Sequence, residues 1–408
     1  MKLGPCVTTA AYWLPLIWAA TTAASPSLEK QQQPYSTWMA DSTITRGVEA
    51  TRWYTEATFY RGVEAAHNAS GDARYLSFLT TQIDGILQRN GSFRAYDLTD
   101  HQLDNMRIGA AILYLYTAAT EPSAKARYRV AADFLYDQLV HHQKRTASGG
   151  FWHKDRYPNQ MWLDGLFMAG PFSAAYVALP GPPSNVTAAW DDIALQFDLT
   201  ETHCRDGSSG MLRHGYDESL RAPWADKADG SGASPHVWIR AQGWYLMALA
   251  DVLDWFPLQH AARPRLLGYL QTLARAVVRA QEAASGGWWL VMDGDSPGRK
   301  GNYIESSGTA MYVYGLLKAV RKGYHADAAE GAAFVAAARR AYALMTDRFV
   351  ARNGTNGGIN WEGTVRVGSL DTTGDFKYYT SIPIVENSLI GIGPFILASV
   401  EMEQLPSS

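Results

Sequence analysis

The sequence predicts an all-α chain: an (α/α)6 toroid, in which six helical hairpins close into a ring. Three observations carry that expectation. Small-residue turns recur at Gly91, Gly149, Ser209, Gly286 and Gly357, which lie 58, 60, 77 and 71 residues apart. Each turn is followed by a helix-like stretch that is apolar on most sides, as in Trp162-Leu-Asp-Gly-Leu-Phe-Met-Ala-Gly and Ser307-Gly-Thr-Ala-Met-Tyr-Val-Tyr-Gly-Leu-Leu, and such helices are buried ones. Between them lie amphipathic stretches suited to an outer, half-exposed layer.

Taken in order, the chain opens with Lys2 and an apolar run from Val7 to Ala20, followed by Thr21-Thr-Ala-Ala-Ser. The run falls short of the ~20 residues that span a bilayer, so residues 1–24 read as a secretory signal peptide cleaved after Ala24. Residues 25–36 form a polar segment, and 37–408 a single barrel domain. Cleavage removes Cys6 and leaves Cys204 alone, so the mature chain has no internal disulfide and is held by packing. The sequons at Asn68, Asn90, Asn185 and Asn353 fit a secreted, extracellular glycoprotein.

The first hairpin is expected over 38–51 and 53–67. Asn90-Gly-Ser-Phe then leads to an inner helix from near Asp104. Lys125, Arg127 and Arg129 alternate with Ala131, Phe134 and Leu135 on an outer helix within Ala124 to Gln143. Ser148-Gly-Gly-Phe-Trp precedes the inner helix near Trp162, and Ser209-Gly-Met-Leu-Arg the one near Val237. Arg263 to Glu282 is outer again, with Leu266, Leu267, Leu270 and Leu273 on one face. Ser285-Gly-Gly-Trp-Trp and Gly357-Gly-Ile-Asn-Trp introduce the last two inner helices, near Glu305 and Ile384. Loops preceding the inner helices gather at one mouth of such a ring and form its pocket.

A net charge of −3 over 408 residues gives no general electrostatic case for nucleic acid or an anionic membrane. No HExxH, paired CxxC, GxxxxGK[ST] or GxSxG occurs, so metal, nucleotide and serine-hydrolase sites have no support, and no cofactor is expected. The aromatic content is high, with 14 Trp, 22 Tyr and 13 Phe. That suits either a large core or stacking on sugar rings.

The informative polar residues sit where inner helices begin. Asp104 and Asp164 each place a carboxylate on an otherwise apolar helix start. A buried carboxylate is costly, so it either caps helix-start amides or serves acid/base chemistry beside a polar cavity. Arg240 and Trp244, four residues apart, share one helical face. Together they suit a uronate, with the guanidinium on its carboxylate and the indole on its ring, or else form a structural stack. His153, Lys154 and His214 follow small-residue turns and are candidate substrate contacts. A sugar epimerase with paired His bases and a non-catalytic glycan-binding protein remain alternatives on the same barrel.

The chain resembles the unsaturated rhamnogalacturonyl hydrolases of glycoside hydrolase family 105, related to the unsaturated glucuronyl hydrolases of family 88. The resemblance spans residues 45–402. It rests on Leu103-Asp-Asn-Met-Arg-Ile-Gly, Gly149-Gly-Phe-Trp-His-Lys, Gln160-Met-Trp-Leu-Asp-Gly-Leu-Phe-Met, Trp238-Ile-Arg-Ala-Gln-Gly-Trp, Glu305-Ser-Ser-Gly-Thr-Ala-Met and Tyr379-Thr-Ser-Ile-Pro-Ile-Val-Glu-Asn, in that order. It implies an (α/α)6 barrel with no metal requirement, Asp164 as general acid/base and Asp104 as the second essential carboxylate. His153, Lys154, His214, Arg240 and Trp244 match substrate-site positions, and Tyr54 and Trp162 pocket walls. Ile390-Gly-Ile-Gly-Pro-Phe lacks the Lys common in the family's Leu-Lys-Gly-x-Gly-x-Phe stretch, which implies altered subsite contacts rather than altered chemistry. The implied substrate is a lyase-made pectin oligosaccharide with a 4,5-unsaturated uronate at its non-reducing end; glycosaminoglycan or ulvan fragments are the nearer rivals. The implied reaction protonates C4 and adds water at C5. It calls for an Asp164 pKa raised by Asp104 and apolar walls.

Overall fold

A computed structural model describes Met1 and residues 33–181, 183–352 and 357–406. The signal peptide apart from Met1, the polar segment as far as residue 32 and the Asn353 sequon lie outside the described residues. Pro34 onward forms one compact unit.

Thirteen helices are described in this unit: α1 (Tyr35–Arg46), α2 (Tyr54–Ser70), α3 (Ala73–Ile86), α4 (Ile108–Ala118), α5 (Pro122–Asp137), α6 (Leu163–Ala178), α7 (Val186–Cys204), α8 (Ile239–Val252), α9 (Arg263–Arg279), α10 (Ser306–Arg321), α11 (Ala328–Leu344), α12 (Phe376–Ser381) and α13 (Leu389–Glu403). The inner layer is α2, α4, α6, α8, α10 and α13, each packed on the next, with α13 returning to α2. That closes the toroid, with α1, α3, α5, α7, α9 and α11 outside.

Sequence character explains the layers. Every residue of α8 is buried, whereas α5 buries Tyr128, Ala131, Ala132 and Leu135 and turns its charges to solvent. Closure between α2 and α13 depends on small residues. A Cβ on Gly393 would lie 2.4 Å from the Thr58 carbonyl oxygen, and one on Gly62 3.0 Å from that of Gly393, so larger side chains would force these helices apart.

The recurrent turns have a common role. Gly91 has φ +89°, and a Cβ there would meet the Arg127 carbonyl oxygen of α5 at 2.5 Å; Gly286 (φ +78°) lies likewise against Arg340 of α11. Each turn leaves one outer helix and rests on the next. The last follows suit, since the Gly357 carbonyl accepts from Trp38 Nε1 of α1 at 3.0 Å.

Two inner helices begin later than expected. A 3-10 turn over Leu103–Met106 carries Asp104 before α4 starts. The last inner helix starts at Leu389 rather than near Ile384, because α12 and a short strand intervene. Cys204 is free and buried. Among the described residues no helix is long and apolar enough to cross a membrane, and no cluster of three His, Cys, Asp or Glu is placed to hold a metal ion.

Candidate active site

The loops at the inner-helix entrances are tied to one another by backbone hydrogen bonds, and this brings distant side chains together. Gln102 bridges Lys154, and Leu103 N–H donates to the His153 carbonyl at 3.0 Å. His153 N–H donates to Gln160 at 2.8 Å. The strand β1 (Gln160–Trp162) pairs antiparallel with β2 (Gly215–Asp217), setting Trp162 opposite Gly215. Leu163 N–H then donates to the His214 carbonyl at 3.0 Å, and Ile239 N–H to that of Leu290 at 3.0 Å. The entrances of α4, α6, α8 and α10 are thus held in register by main chain.

That lacing places Asp164, in the first turn of α6, against His214. Asp164 Oδ2 is 3.1 Å from His214 Nε2, and His214 Nδ1 is 2.8 Å from the Tyr379 hydroxyl. His214 and Tyr379 are fully buried, while the Asp164 side chain keeps 15% exposure. Burial pushes the Asp164 carboxyl up, but the charge and hydrogen bond of His214, with Arg240 behind it, outweigh burial and hold it below its ordinary value. The raised pKa expected from Asp104 is therefore not found: His214, not Asp104, sets the direction for this carboxyl. Burial also pushes the Tyr379 phenol up, so it keeps its proton.

Asp104 is gripped separately. Its Oδ2 accepts from Lys154 Nζ, and Oδ1 stands 3.8 Å from His153 Nε2. Burial, then the Lys154 charge, hold His153 well below its ordinary value, so its ring is neutral. Tyr54 opens α2 in the field of both carboxylates. Burial first, then Asp104, raise its phenol pKa, with Asp164 adding and Arg240 opposing. The structure thus gathers Tyr54, Asp104, His153, Lys154, Asp164, His214 and Arg240 at one mouth.

The aromatic and cationic residues are largely engaged by protein. Trp162 is 4% exposed, with His153 stacked on it at 4.5 Å, Tyr157 at 4.6 Å and His214 edge-on at 5.5 Å, so it braces the two histidines. Trp244, expected to stack on substrate, is 1% exposed and packs on Phe167 at 4.9 Å. One turn deeper than Arg240 along α8, it belongs to the core. The indole beside Arg240 is instead Trp238, 4.6 Å from the guanidinium. The bidentate grip expected of Arg240 is also largely engaged by protein. Nη1 donates to the Val365 carbonyl at 2.5 Å and to Ser307 Oγ at 3.3 Å, Nη2 donates to the Arg366 carbonyl, and Glu305 lies 3.9 Å away.

Tyr379, Trp238 and Glu305 were not singled out as site residues from sequence, although each opens or lies within a motif that carries the family resemblance. Glu305 caps α10 through Gly308 N–H at 2.7 Å and accepts from Val365 N–H at 3.1 Å, so it holds the strand β3 (Thr364–Val365), whose carbonyl meets Arg240. Ile390, the departure from the family stretch, is buried at 2% exposure.

A helical toroid with two differently held carboxylates at its mouth is the frame of an acid/base enzyme acting on carbohydrate. Comparison with known proteins makes the class specific. Residues 29–406 match the family model of Glycosyl Hydrolase Family 88, and the chain belongs to that family and is a glycoside hydrolase. It is similar to a family 105 glycoside hydrolase from C. acetobutylicum ATCC 824, with 37% identity, TM-score 0.83, and coverage of 91% of this chain and all of that one. Protein Atu3128 of Agrobacterium fabrum is 33% identical over 242 residues, 57% of this chain and 97% of that protein. The unsaturated rhamnogalacturonyl hydrolase YesR of Bacillus subtilis is 24% identical over 62% of this chain and 66% of that protein. The unsaturated glucuronyl hydrolase of Bacillus sp. GL1, 14% identical with a TM-score of 0.65 over 90% of this chain and 95% of that one, shares the fold.

Proposed function

We propose that this hydrolase releases a 4,5-unsaturated uronate from the non-reducing end of lyase-generated rhamnogalacturonan oligosaccharides. The observation that carries the proposal is the Asp164–His214–Tyr379 chain facing the separate Asp104–Lys154 pair. It offers one carboxyl in contact with an imidazole for proton exchange and a second carboxyl paired with an ammonium. The likeness to YesR, an unsaturated rhamnogalacturonyl hydrolase, supports the substrate class.

In the proposed step, Asp164 gives a proton to C4 of the C4=C5 enol ether, and positive charge develops at C5 and the ring oxygen. Water adds at C5 and returns its proton to the Asp164 carboxylate. The hemiketal opens to a C5 ketone, leaving a hemiacetal at C1 that breaks to an aldehyde and the freed sugar hydroxyl. No glycosidic bond is attacked directly, so the carboxylate-separation rule for retention or inversion does not apply.

The lowered pKa of free Asp164 fits this cycle once substrate is counted. A uronate carboxylate entering beside Asp164 and displacing solvent raises its pKa. With Tyr379 O–H donating to Nδ1 and Nε2–H donating to Oδ2, His214 occupies Oδ2 and leaves Oδ1 to carry the transferable proton. Lys154, Arg240 and Tyr54 provide the charge and hydroxyl that meet the anionic ring.

The same reading includes export, with residues 1–24 as a signal peptide and glycans on the exposed Asn68, Asn90 or Asn185. The deciding experiment follows loss of the ultraviolet absorbance of the conjugated enol–carboxylate on lyase-digested pectin, ulvan and chondroitin. Fastest bleaching of the rhamnogalacturonan digest is expected; bleaching of chondroitin alone would move the substrate to glycosaminoglycans.

A further inference from the structure

The chemistry at the mouth leaves one buried cation unused. Arg107, three residues after Asp104, is 1% exposed, and none of its Nε, Nη1 and Nη2 has a hydrogen-bond partner among the described residues. Its guanidinium lies 4.1 Å from the centre of the Phe167 ring, the ring that stacks on Trp244. An unpaired buried donor is costly, and three on one side chain call for an explanation.

Arg107 faces a cavity of about 250 Å³ that also meets Arg61, Glu64, Asn68, Asp251 and Trp255. Asp251 and Trp255 stand at the end of α8 remote from Arg240, so this chamber belongs to the face of the toroid opposite the mouth. Trp255 is 46% exposed at its rim. The neighbouring cations are already paired: Lys318 with Asp251 at 2.5 Å and Asp254 at 2.8 Å, and Arg61 with Glu64 at 3.5 Å and Asp251 at 3.6 Å. Arg107 alone is free, and Glu64 keeps Oε1 without a partner among the described residues. Burial draws Arg107 down to about 10 and pushes Glu64 up. In and around the cavity Arg61, Arg107, Lys318 and Lys322 stand against Glu64, Asp251 and Asp254, four cations to three carboxylates, and the chamber favours an anion.

A planar fork of free N–H groups matches a carboxylate. The space exceeds what a halide fills, the remaining polar lining suits hydroxyls, and an exposed indole at the rim suits a sugar ring. We propose that this chamber is a second binding site, for a hydroxylated monocarboxylate of monosaccharide size. The carboxylate sits on Arg107, hydroxyls meet Glu64 and Asp251, and the ring lies against Trp255. The proposal stands apart from the reaction at the mouth.

The test titrates the full-length protein by calorimetry with sodium D-glucuronate, D-glucose and sodium chloride, and soaks its crystals in glucuronate. The expected result is saturable binding of glucuronate alone, with density for its carboxylate on Arg107. Arg107→Met should weaken that binding by about thirty-fold or more. Trp255→Ala, at an exposed position that leaves the fold intact, should weaken it by about two- to tenfold, and it keeps the test alive should Arg107→Met fail to fold. Density at the mouth alone, equal binding of glucose or chloride, or unchanged affinity in the folded variants would each overturn the proposal.

Discussion

Tyr379→Phe isolates one hydrogen bond of the proposed proton path. The ring of Tyr379 is fully buried and packs on Trp238 at 5.6 Å with the planes 18° apart, so phenylalanine keeps the packing and removes only the hydroxyl. His214 Nδ1 then loses its partner at 2.8 Å inside a fully buried pocket. Leaving one buried polar atom unsatisfied costs about 1–3 kcal/mol. The imidazole escapes that cost in part by moving its proton to Nδ1. Its Nε2 lone pair then faces Asp164 Oδ2 and draws the acid proton there, away from Oδ1. Expressed as a barrier, the same energy slows turnover by about five- to 150-fold. KM should change little, because Lys154, Arg240 and Tyr54 are untouched. The assay is initial-rate bleaching of the unsaturated substrate across pH, with circular dichroism to check the fold. Wild-type kcat in folded Tyr379→Phe would refute the relay, and a fall in affinity with unchanged kcat would make Tyr379 a binding residue instead.

Asp164→Asn should keep the fold and lower kcat by about 10²–10⁴-fold, the usual share of a general acid/base; folded protein that bleaches substrate at the wild-type rate would end its role as proton donor. Arg240→Ala should lower stability as well as affinity, because it strips donors from the Val365 and Arg366 carbonyls and leaves Glu305 buried beside no cation. Denaturant melts should show a loss of about 3–5 kcal/mol, and an unchanged midpoint would return Arg240 to a purely ligand-facing role. His153 titrates well below its ordinary value, so its contribution is full above the unfolded pKa of about 6.5 and is lost as pH falls. His153→Gln should therefore lose less stability than wild type between neutral pH and mild acid, and parallel curves would contradict a buried neutral ring. Protein recovered from culture medium should begin near Ser25 and lose mass on deglycosylation; cytosolic protein retaining Met1 would remove the export proposal.

The fold was legible because its repeat leaves marks that need no tertiary knowledge. Left-handed glycine at Gly91, Gly149 and Gly286 and helices apolar on every side are local properties, and a ring of hairpins uses both. The carboxylates were legible for the same reason, since a charge on an apolar helix start stands out against its neighbours. Aromatic roles were not. Nothing in Trp162 or Trp244 tells which ring face is already covered, and that depends on His153, Tyr157 and Phe167 arriving from other loops and helices. The direction of the Asp164 shift was hidden likewise, because His214 is fifty positions away along the chain and meets Asp164 only through the β1–β2 pairing.

That pairing also accounts for how one fold supports two unlike carboxylates. Asp104 sits on a 3-10 turn before α4, where its neighbour in space is the loop after α5, and that loop brings Lys154 and the neutral His153. Asp164 sits inside the first turn of α6, where its neighbour is the loop after α7, and that loop brings His214 with Tyr379 behind it. Each inner-helix start is thus served by the loop of the following hairpin, and the residue that loop contributes sets the partner of the carboxyl. Asp104 receives a lysine ammonium; Asp164 receives an imidazole backed by a phenol, the partner that the proposed proton transfer uses. Exchanging the two partners, as in Lys154→His with His214→Lys, should therefore abolish turnover even though both carboxylates and the ring remain. A folded double variant that still bleached substrate would show that the carboxyls act independently of the loops that meet them.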